Sequence, residues 1–263
     1  MPDAAEIGLI GGSGFYRFLD DAHEVIVDTP YGPASDALAV GDVGGRRVAF
    51  LPRHGRGHSI PPHRIHYRAN LWAFAELGVT RVLAPCAVGS LRGGLAPGTF
   101  VVCDQLVDRT SGRADTYFDG PQVTHVSLAD PYCPELRALA VSCLEGLGLP
   151  FAASGTGVAI QGPRFSTRAE SAFYTAQGWD VIGMTQYPEA ALARERELCL
   201  LNLSLVTDYD VGLSGMAPVT TAEVVATLRQ NNERLRSLLA ELIPQVPAAR
   251  GCGCGSALAD AQL

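Results

Sequence analysis

The chain has 263 residues, 47% hydrophobic and 18% charged, which is enough apolar material for a sizeable core in one large domain or two small ones. A net charge of −7 argues against nucleic acid or an anionic membrane as partner, so any bound anion must be held by a local cluster of donors. No uninterrupted apolar stretch approaches the ~18 to 20 residues of a membrane helix. The acidic start MPDAAEIG lacks the basic flank and apolar run of a signal peptide, so the expected location is cytoplasmic.

The first apolar run, Ile7 to Ile10, breaks into Gly11-Gly12-Ser13-Gly14. A strand leading into glycines can bring backbone donors close to an anion, with Ser13 adding a hydroxyl. It is not a dinucleotide fingerprint, because Arg17 stands where the third glycine belongs, and no Gly-Lys-Ser/Thr follows for a P-loop. A hairpin or bulge would use the same glycines. Further strands are expected at 47–51, 81–84, 99–103, 155–161, 180–184 and 200–207. The second ends in Pro52-Arg53-His54-Gly55-Arg56-Gly57-His58. Arg53 can fork onto two anion oxygens, and His54 could add a third donor. After the third strand, Pro85-Cys86-Ala87-Val88-Gly89-Ser90 offers small residues, or simply a helix entry. Ile182-Gly183-Met184-Thr185 supplies a hydroxyl and a thioether that could equally be core filler. The last strand exits as Thr207-Asp208-Tyr209-Asp210. Strand periodicity puts the two carboxylates on one face, ~7 Å apart; solvated turn residues are the plainer reading.

Helical grammar alternates with these strands. Thr167 with Glu170 and Thr220 with Glu223 make capping boxes. The second opens the longest helix, with Val224, Val225, Leu228, Leu235, Leu238, Leu239 and Leu242 along one stripe. Pro188 suits a first helical turn, and Leu136, Leu139, Ala140, Cys143 and Leu144 trace another apolar face. The alternation argues for an α/β domain with a largely parallel or mixed sheet. We assign 1–245 to that domain and 246–263 to a loose tail of small residues. The seven cysteines suit buried free thiols in a reducing compartment. Cys252 and Cys254 form one C-x-C pair, which cannot by itself complete a four-ligand zinc site; a mobile tail or a vicinal disulfide is the expectation there.

GGSG, RHG, AVGS, DQLVDRT, QGPRFSTRAES, GMT with PEA, and TDYD occur in the order found in 5′-methylthioadenosine phosphorylases, and from about Ile7 to Pro244 the chain resembles that branch of the trimeric purine nucleoside phosphorylases. The resemblance implies a single domain with a central mixed twisted sheet flanked by helices, and a homotrimer. It implies no organic cofactor and no metal, with inorganic phosphate as co-substrate. Phosphate would lie among Ser13, Arg53, His54, the Cys86-Ala87 backbone and Thr185. Met184 would lie along the ribose, Phe165 and Ser166 beside the purine, and Ile182 and Gly183 would complete the base pocket. Asp208 and Asp210 would meet the purine edge. Thr221 to Val224 would surround the 5′ group, joined by His125 from a neighbouring subunit.

The chemistry suits those residue types. Phosphorolysis builds positive charge on the ribose and negative charge on the leaving base, and a proton at purine N7 stabilises the base. Asp208 is the candidate source, because burial beside a second carboxylate raises the pKa of one of the pair. A carboxylate accepts from a 6-amino group and repels a 6-oxo oxygen, and the hypoxanthine- and guanine-cleaving branch carries Asn at the first of these positions. The pair therefore favours adenine. The alternatives are a 6-oxopurine phosphorylase, an adenosine or 5′-halo-5′-deoxyadenosine phosphorylase, or, outside the family, a nucleotide-binding oxidoreductase or sensor. This chain departs from common family forms at Cys86 (often Thr), His66 (Asn), Gly183 (Asn) and Thr221 (Val).

Overall fold

Ile7–Gly11 forms a strand, β1, buried at all five positions, and its alternation explains how the sheet is covered on both faces. Ile7 and Leu9 point into one apolar cluster and Ile10 into another. Gly8 leaves room for the Phe74 ring, which an added Cβ would meet at 2.9 Å. The structure, a computed structural model, describes residues 3–211, 213 and 219–262. The strands that follow are β2 (His23–Val25), β3 (Leu38–Val43), β4 (Arg46–Pro52), β5 (Arg81–Ser90), β6 (Phe100–Val101), β7 (Gln105–Arg109), β8 (Phe151–Ala152), β9 (Thr156–Ile160), β10 (Val181–Gly183) and β11 (Cys199–Tyr209). The helices are α1 (Tyr67–Glu76), α2 (Pro134–Gly146), α3 (Arg168–Ala176), α4 (Gln186–Glu195) and α5 (Thr221–Gln245).

The eleven strands among the described residues join one mixed sheet, in the order β2-β3-β4-β1-β5-β10-β9-β7, with β11 also pairing β5 and with β6 and β8 beyond it. Tyr67, Leu71 and Phe74 of α1 and Leu192 of α4 pack on one face. Leu136 and Ala140 of α2 and Leu235, Leu238, Leu239 and Leu242 of α5 pack on the other. A fully buried leucine stabilises by about 1.5–3 kcal/mol, so the α5 stripe is a principal clamp on the second face. Both expected capping boxes form, Thr167 with Glu170 and Thr220 with Glu223.

β5 is the strand that makes the site. One edge pairs with β11 along its whole length. On the other edge β1 leaves after Leu83, and β10 joins only at Gly89. Between them, residues 84–88 have a strand edge without a strand partner among the described residues. Ligands in open α/β sheets bind where neighbouring strands part in this way. The AVGS segment is therefore strand and not a helix entry.

The 246–262 segment does not hang loose. Arg81 Nη2 donates to the carbonyls of Pro247 (3.0 Å) and Ala249 (2.8 Å). His125 N–H donates to the Ala261 carbonyl at 2.7 Å, and Thr124 bridges to Gln262. Nor is the C-x-C pair alone: Cys133 and Cys199 converge on Cys252 and Cys254, all four sulfurs within 4.8 Å of one another. Sequence distance hid both facts, since the partners lie 53 to 168 residues away along the chain. Strands β2, β3, β7 and β8 also lay outside the sequence expectation; β2, β7 and β8 are edge strands without a fully buried residue, and β3 lies between β2 and β4.

Candidate active site

A cavity of about 570 Å³ opens where β1 and β10 part from β5. The ends of β1, β4, β5, β10 and β11 and the start of α5 all contribute to its wall. Ser13, Arg53, His54, Cys86, Ala87, Phe165, Ser166, Ile182, Gly183, Met184, Thr185, Asp208, Asp210, Thr221 and Val224 all line it. His125 does not; it is exposed on the segment paired with the C-terminus. Tyr16, His58, Ser59, Pro61 and Pro62 also line the cavity. No chemical pattern in the sequence singled these out.

At one end sits a cation that is almost wholly buried. Arg53 is 1% exposed and Glu189, in the first turns of α4, is 2% exposed. The guanidinium grips Glu189 through Nε (2.5 Å) and Nη2 (3.0 Å) and the Pro85 carbonyl through Nη1 (3.2 Å). Burial works against its charge, but Glu189 outweighs burial and the group stays protonated. Three of its five N–H donors are thus engaged, leaving two for an anion. The fork expected for an anion is held by Glu189 instead, which presets the guanidinium plane. Gly12 makes the close approach possible: a Cβ there would lie 3.1 Å from Arg53 Nη1 and 3.2 Å from the Pro85 carbonyl.

His54 differs from the expected third donor. Its Nδ1 lies 2.8 Å from the Ile60 carbonyl, and a carbonyl only accepts, so Nδ1 carries the proton. Burial, together with Arg53 and His58, lowers the ring's pKa to about 4. The imidazole is neutral near pH 7 and presents Nε2 as an acceptor, stacked on His58 at 4.4 Å. It suits the O–H of a hydrogen phosphate, not an additional bare oxygen. The Cys86 thiol is engaged with buried polar neighbours. It accepts from Asn202 Nδ2 at 3.3 Å and lies 3.5 Å from Ser204 Oγ. What Cys86 and Ala87 can offer an anion is the backbone of the open β5 edge.

At the other end are the two carboxylates. A register shift in β11 falls just before Asp208, and Asp210 follows the last strand residue, Tyr209; both carboxylates reach the cavity. Burial pushes the Asp208 carboxyl up to about 6, offset by the Thr207 hydroxyl at 2.7 Å and reinforced by Asp210. Burial also raises Asp210, but Ser171 of α3 and the Val211 backbone donate to it and hold it in place. Burial thus raises both carboxyls, Asp208 to about 6, while Asp210 is the one anchored by Ser171 and the Val211 backbone. Gly89 leaves the space Asp208 occupies, since a Cβ would meet Asp208 Oδ1 at 3.0 Å. Because Arg53 bonds Pro85 and Asp208 lies against Gly89, β5 spaces cation and carboxyl by roughly 13 Å, room for an oxyanion and a heterocycle side by side.

The walls between these ends are mostly apolar. Ile160, Val88 and Ile182 form one side, and Phe165, 38% exposed, stands at the mouth. Arg113 braces the Met184 wall, donating to the carbonyls of Met184 (2.9 Å) and Gln161 (2.9 Å). The departure at His66 has a structural partner, the Pro33 carbonyl at 2.9 Å from Nδ1, away from the cavity.

Comparison with known proteins agrees with this architecture. Residues 6–244 match the profile described as the Phosphorylase superfamily. A Streptomyces coelicolor protein named purine nucleoside phosphorylase is 57% identical, covering 97% of this chain and 94% of its own. An S-methyl-5′-thioadenosine phosphorylase from Mycolicibacterium smegmatis is 54% identical, covering 94% of this chain and 93% of its own. Among solved structures, a methylthioadenosine phosphorylase from an Antarctic soil metagenomic library superposes with a TM-score of 0.92 at 37% identity, covering 99% and 93% of the two chains. The Schistosoma mansoni methylthioadenosine phosphorylase in complex with adenine gives 0.90 at 36% identity, covering 94% and 93%.

Proposed function

The chain belongs to the phosphorylase superfamily and is a pentosyltransferase, and from that premise we propose that it cleaves S-methyl-5′-thioadenosine with phosphate, releasing adenine and 5-methylthioribose 1-phosphate. The observation that carries the reading is the single cavity with a buried cation at one end and a carboxyl raised to about 6 at the other. Phosphate is held by Ser13, the two remaining Arg53 donors, the Cys86-Ala87 backbone and Thr185. His54 Nε2 accepts the O–H of hydrogen phosphate. A phosphate oxygen attacks the ribose C1′ as the bond to purine N9 breaks, and the bonding pair leaves with the base. Asp208 gives its proton to N7, so the base departs as neutral adenine. Asp210 and the deprotonated Asp208 accept from the 6-amino side, which a 6-oxo purine cannot satisfy. Val224 and Val225 at the start of α5 give the 5′ substituent apolar surroundings.

The test is base release from methylthioadenosine, methylthioinosine, adenosine and inosine, with and without phosphate. Release of adenine from methylthioadenosine, dependent on phosphate, is expected. Cleavage without phosphate would make the enzyme a hydrolase, and preference for the inosine forms would overturn the carboxylate argument. A second reading, adenosine or a broader purine nucleoside as substrate, is favoured by one residue, since the Thr221 hydroxyl at the α5 end could meet a 5′-hydroxyl.

The assembly belongs to the same proposal: a homotrimer in which the exposed His125 enters a neighbour's cavity beside the 5′ group. Light scattering should give three times the 27.7 kDa chain mass. His125→Ala should raise the nucleoside KM about tenfold, the loss of one ordinary hydrogen bond or contact, with the phosphate KM unmoved. A monomer, or an unchanged nucleoside KM, would remove His125 from the site.

A further inference from the structure

Four sulfur atoms from distant parts of the chain meet beneath the C-terminal segment. Cys133 precedes α2, Cys199 opens β11, and Cys252 and Cys254 flank Gly253 in the tail. Every pair of sulfurs lies within 4.8 Å, with Cys252 Sγ 3.4 Å from Cys199 Sγ and 3.6 Å from Cys133 Sγ. A tetrahedral ion with metal–sulfur bonds near 2.3 Å needs sulfurs about 3.8 Å apart along every edge. We infer that these four cysteines bind one zinc ion. Each thiol gives up its proton as the ion enters, and no electron is transferred.

Three observations support a shared centre. First, Cys252 is almost equidistant from Cys133 and Cys199, whereas pairing into disulfides would single out one partner. Second, the surroundings suit thiolates. Arg81 Nη1 lies 3.4 Å from Cys199 Sγ while also bonding Glu135 at 2.6 Å, and Cys133 sits at the N-cap of the 13-residue α2, its positive end. Third, the tail is anchored by scattered polar contacts, not by a core of its own. Between 247 and 262 only Cys254 and Ala261 are buried, so apolar burial contributes little there. A zinc–thiolate centre supplies folding free energy to such a segment directly.

The four-sulfur geometry fits zinc or iron, and the location favours the redox-inert ion. β11 runs from Cys199 at this site to Asp208 at the cavity, roughly 30 Å away at strand rise. The ion is a staple remote from the chemistry, closing residues 81, 133, 199 and 252–254 into one unit.

The full-length protein, purified without chelators and passed through gel filtration, should carry about one zinc per chain by mass spectrometric metal analysis. Unfolded without reductant, it should react through all seven thiols while releasing that zinc to a colorimetric chelator. Cys252→Ser, at the most accessible of the four positions, should lose at least ten-fold in zinc content and melt at a lower temperature, with kcat unchanged. If that variant does not fold, wild type stripped with chelator and offered cobalt decides the matter, through the thiolate-to-metal charge-transfer absorption of a four-sulfur site. Iron in place of zinc, only three reactive thiols, or no metal retained after incubation with excess zinc would each overturn the assignment.

Discussion

Asp208→Asn is expected to lower kcat/KM for the adenine nucleoside by about 10²-fold or more, the range in which a positioned general acid contributes. The amide keeps the shape of the side chain and its place beside Thr207 but has no proton of suitable acidity to give to N7. It also reverses the hydrogen-bond demand, since its N–H₂ can donate to a 6-oxo oxygen. Turnover of the 6-oxo nucleoside should therefore rise relative to the adenine form. A pH profile isolates the proton. With Asp208 raised to about 6 by burial, kcat/KM for the nucleoside at saturating phosphate should fall as pH rises through that value, and the Asn variant should lack that limb. Stability changes with the opposite benefit. A carboxyl raised above its unfolded value of ~3.9 costs nothing while both states are protonated, and the full cost of burying the charge is present above about 6. The Asn variant should thus melt higher than wild type at pH 8 and approach it near pH ~3, below both pKa values. Equal melting temperatures at pH 8, with substrate preference unchanged, would remove Asp208 from both roles.

The reason this residue could be found from sequence, and its helpers could not, lies in what local patterns encode. An apolar run ending in Thr207-Asp208-Tyr209-Asp210 reads as a strand whose polar end meets something. The capping boxes at Thr167 and Thr220 are complete within four residues. The glycine exits at Gly12 and Gly89 reflect backbone approach, which the structure explains through Arg53 and Asp208. By contrast Glu189 meets Arg53 from 136 residues away, and Ser171 meets Asp210 across 39. Both fall inside quoted motifs, PEA and QGPRFSTRAES, but nothing local in either names the distant side chain it meets. His54 was visible as a site residue, but its tautomer depends on the Ile60 carbonyl and its charge on burial, so its direction of hydrogen bonding was not. The C-terminal cysteines show nothing of their surroundings for the same reason: their two companions, Cys133 and Cys199, lie in other elements. The edge strands β2 and β8, two or three residues long, exist because neighbours offer them a ladder, not because their sequences favour extension.

Arg53→Ala should have two separable effects. The first is on phosphate. Losing two charge-assisted donors at ~1.5–3 kcal/mol each should raise the phosphate KM about 10²-fold or more. The second is on folding: Glu189, 2% exposed, would be stranded without its cation, and breaking a buried ion pair from one side costs about 3–5 kcal/mol. Thermal melting and phosphate kinetics can be divided by a second variant. Replacing both partners with apolar residues of similar volume, Arg53→Met with Glu189→Leu, removes the stranded charge and should recover most of the lost stability. The phosphate KM should stay as high as in Arg53→Ala, because neither new side chain can donate to an oxyanion. That division follows from the geometry: three guanidinium donors face inward to Glu189 and Pro85, and the remaining two are what the cavity receives. Were the double variant to regain phosphate affinity along with stability, the ion pair would be a brace for α4 and the nucleophile would be held by the backbone of β1 and β5 alone.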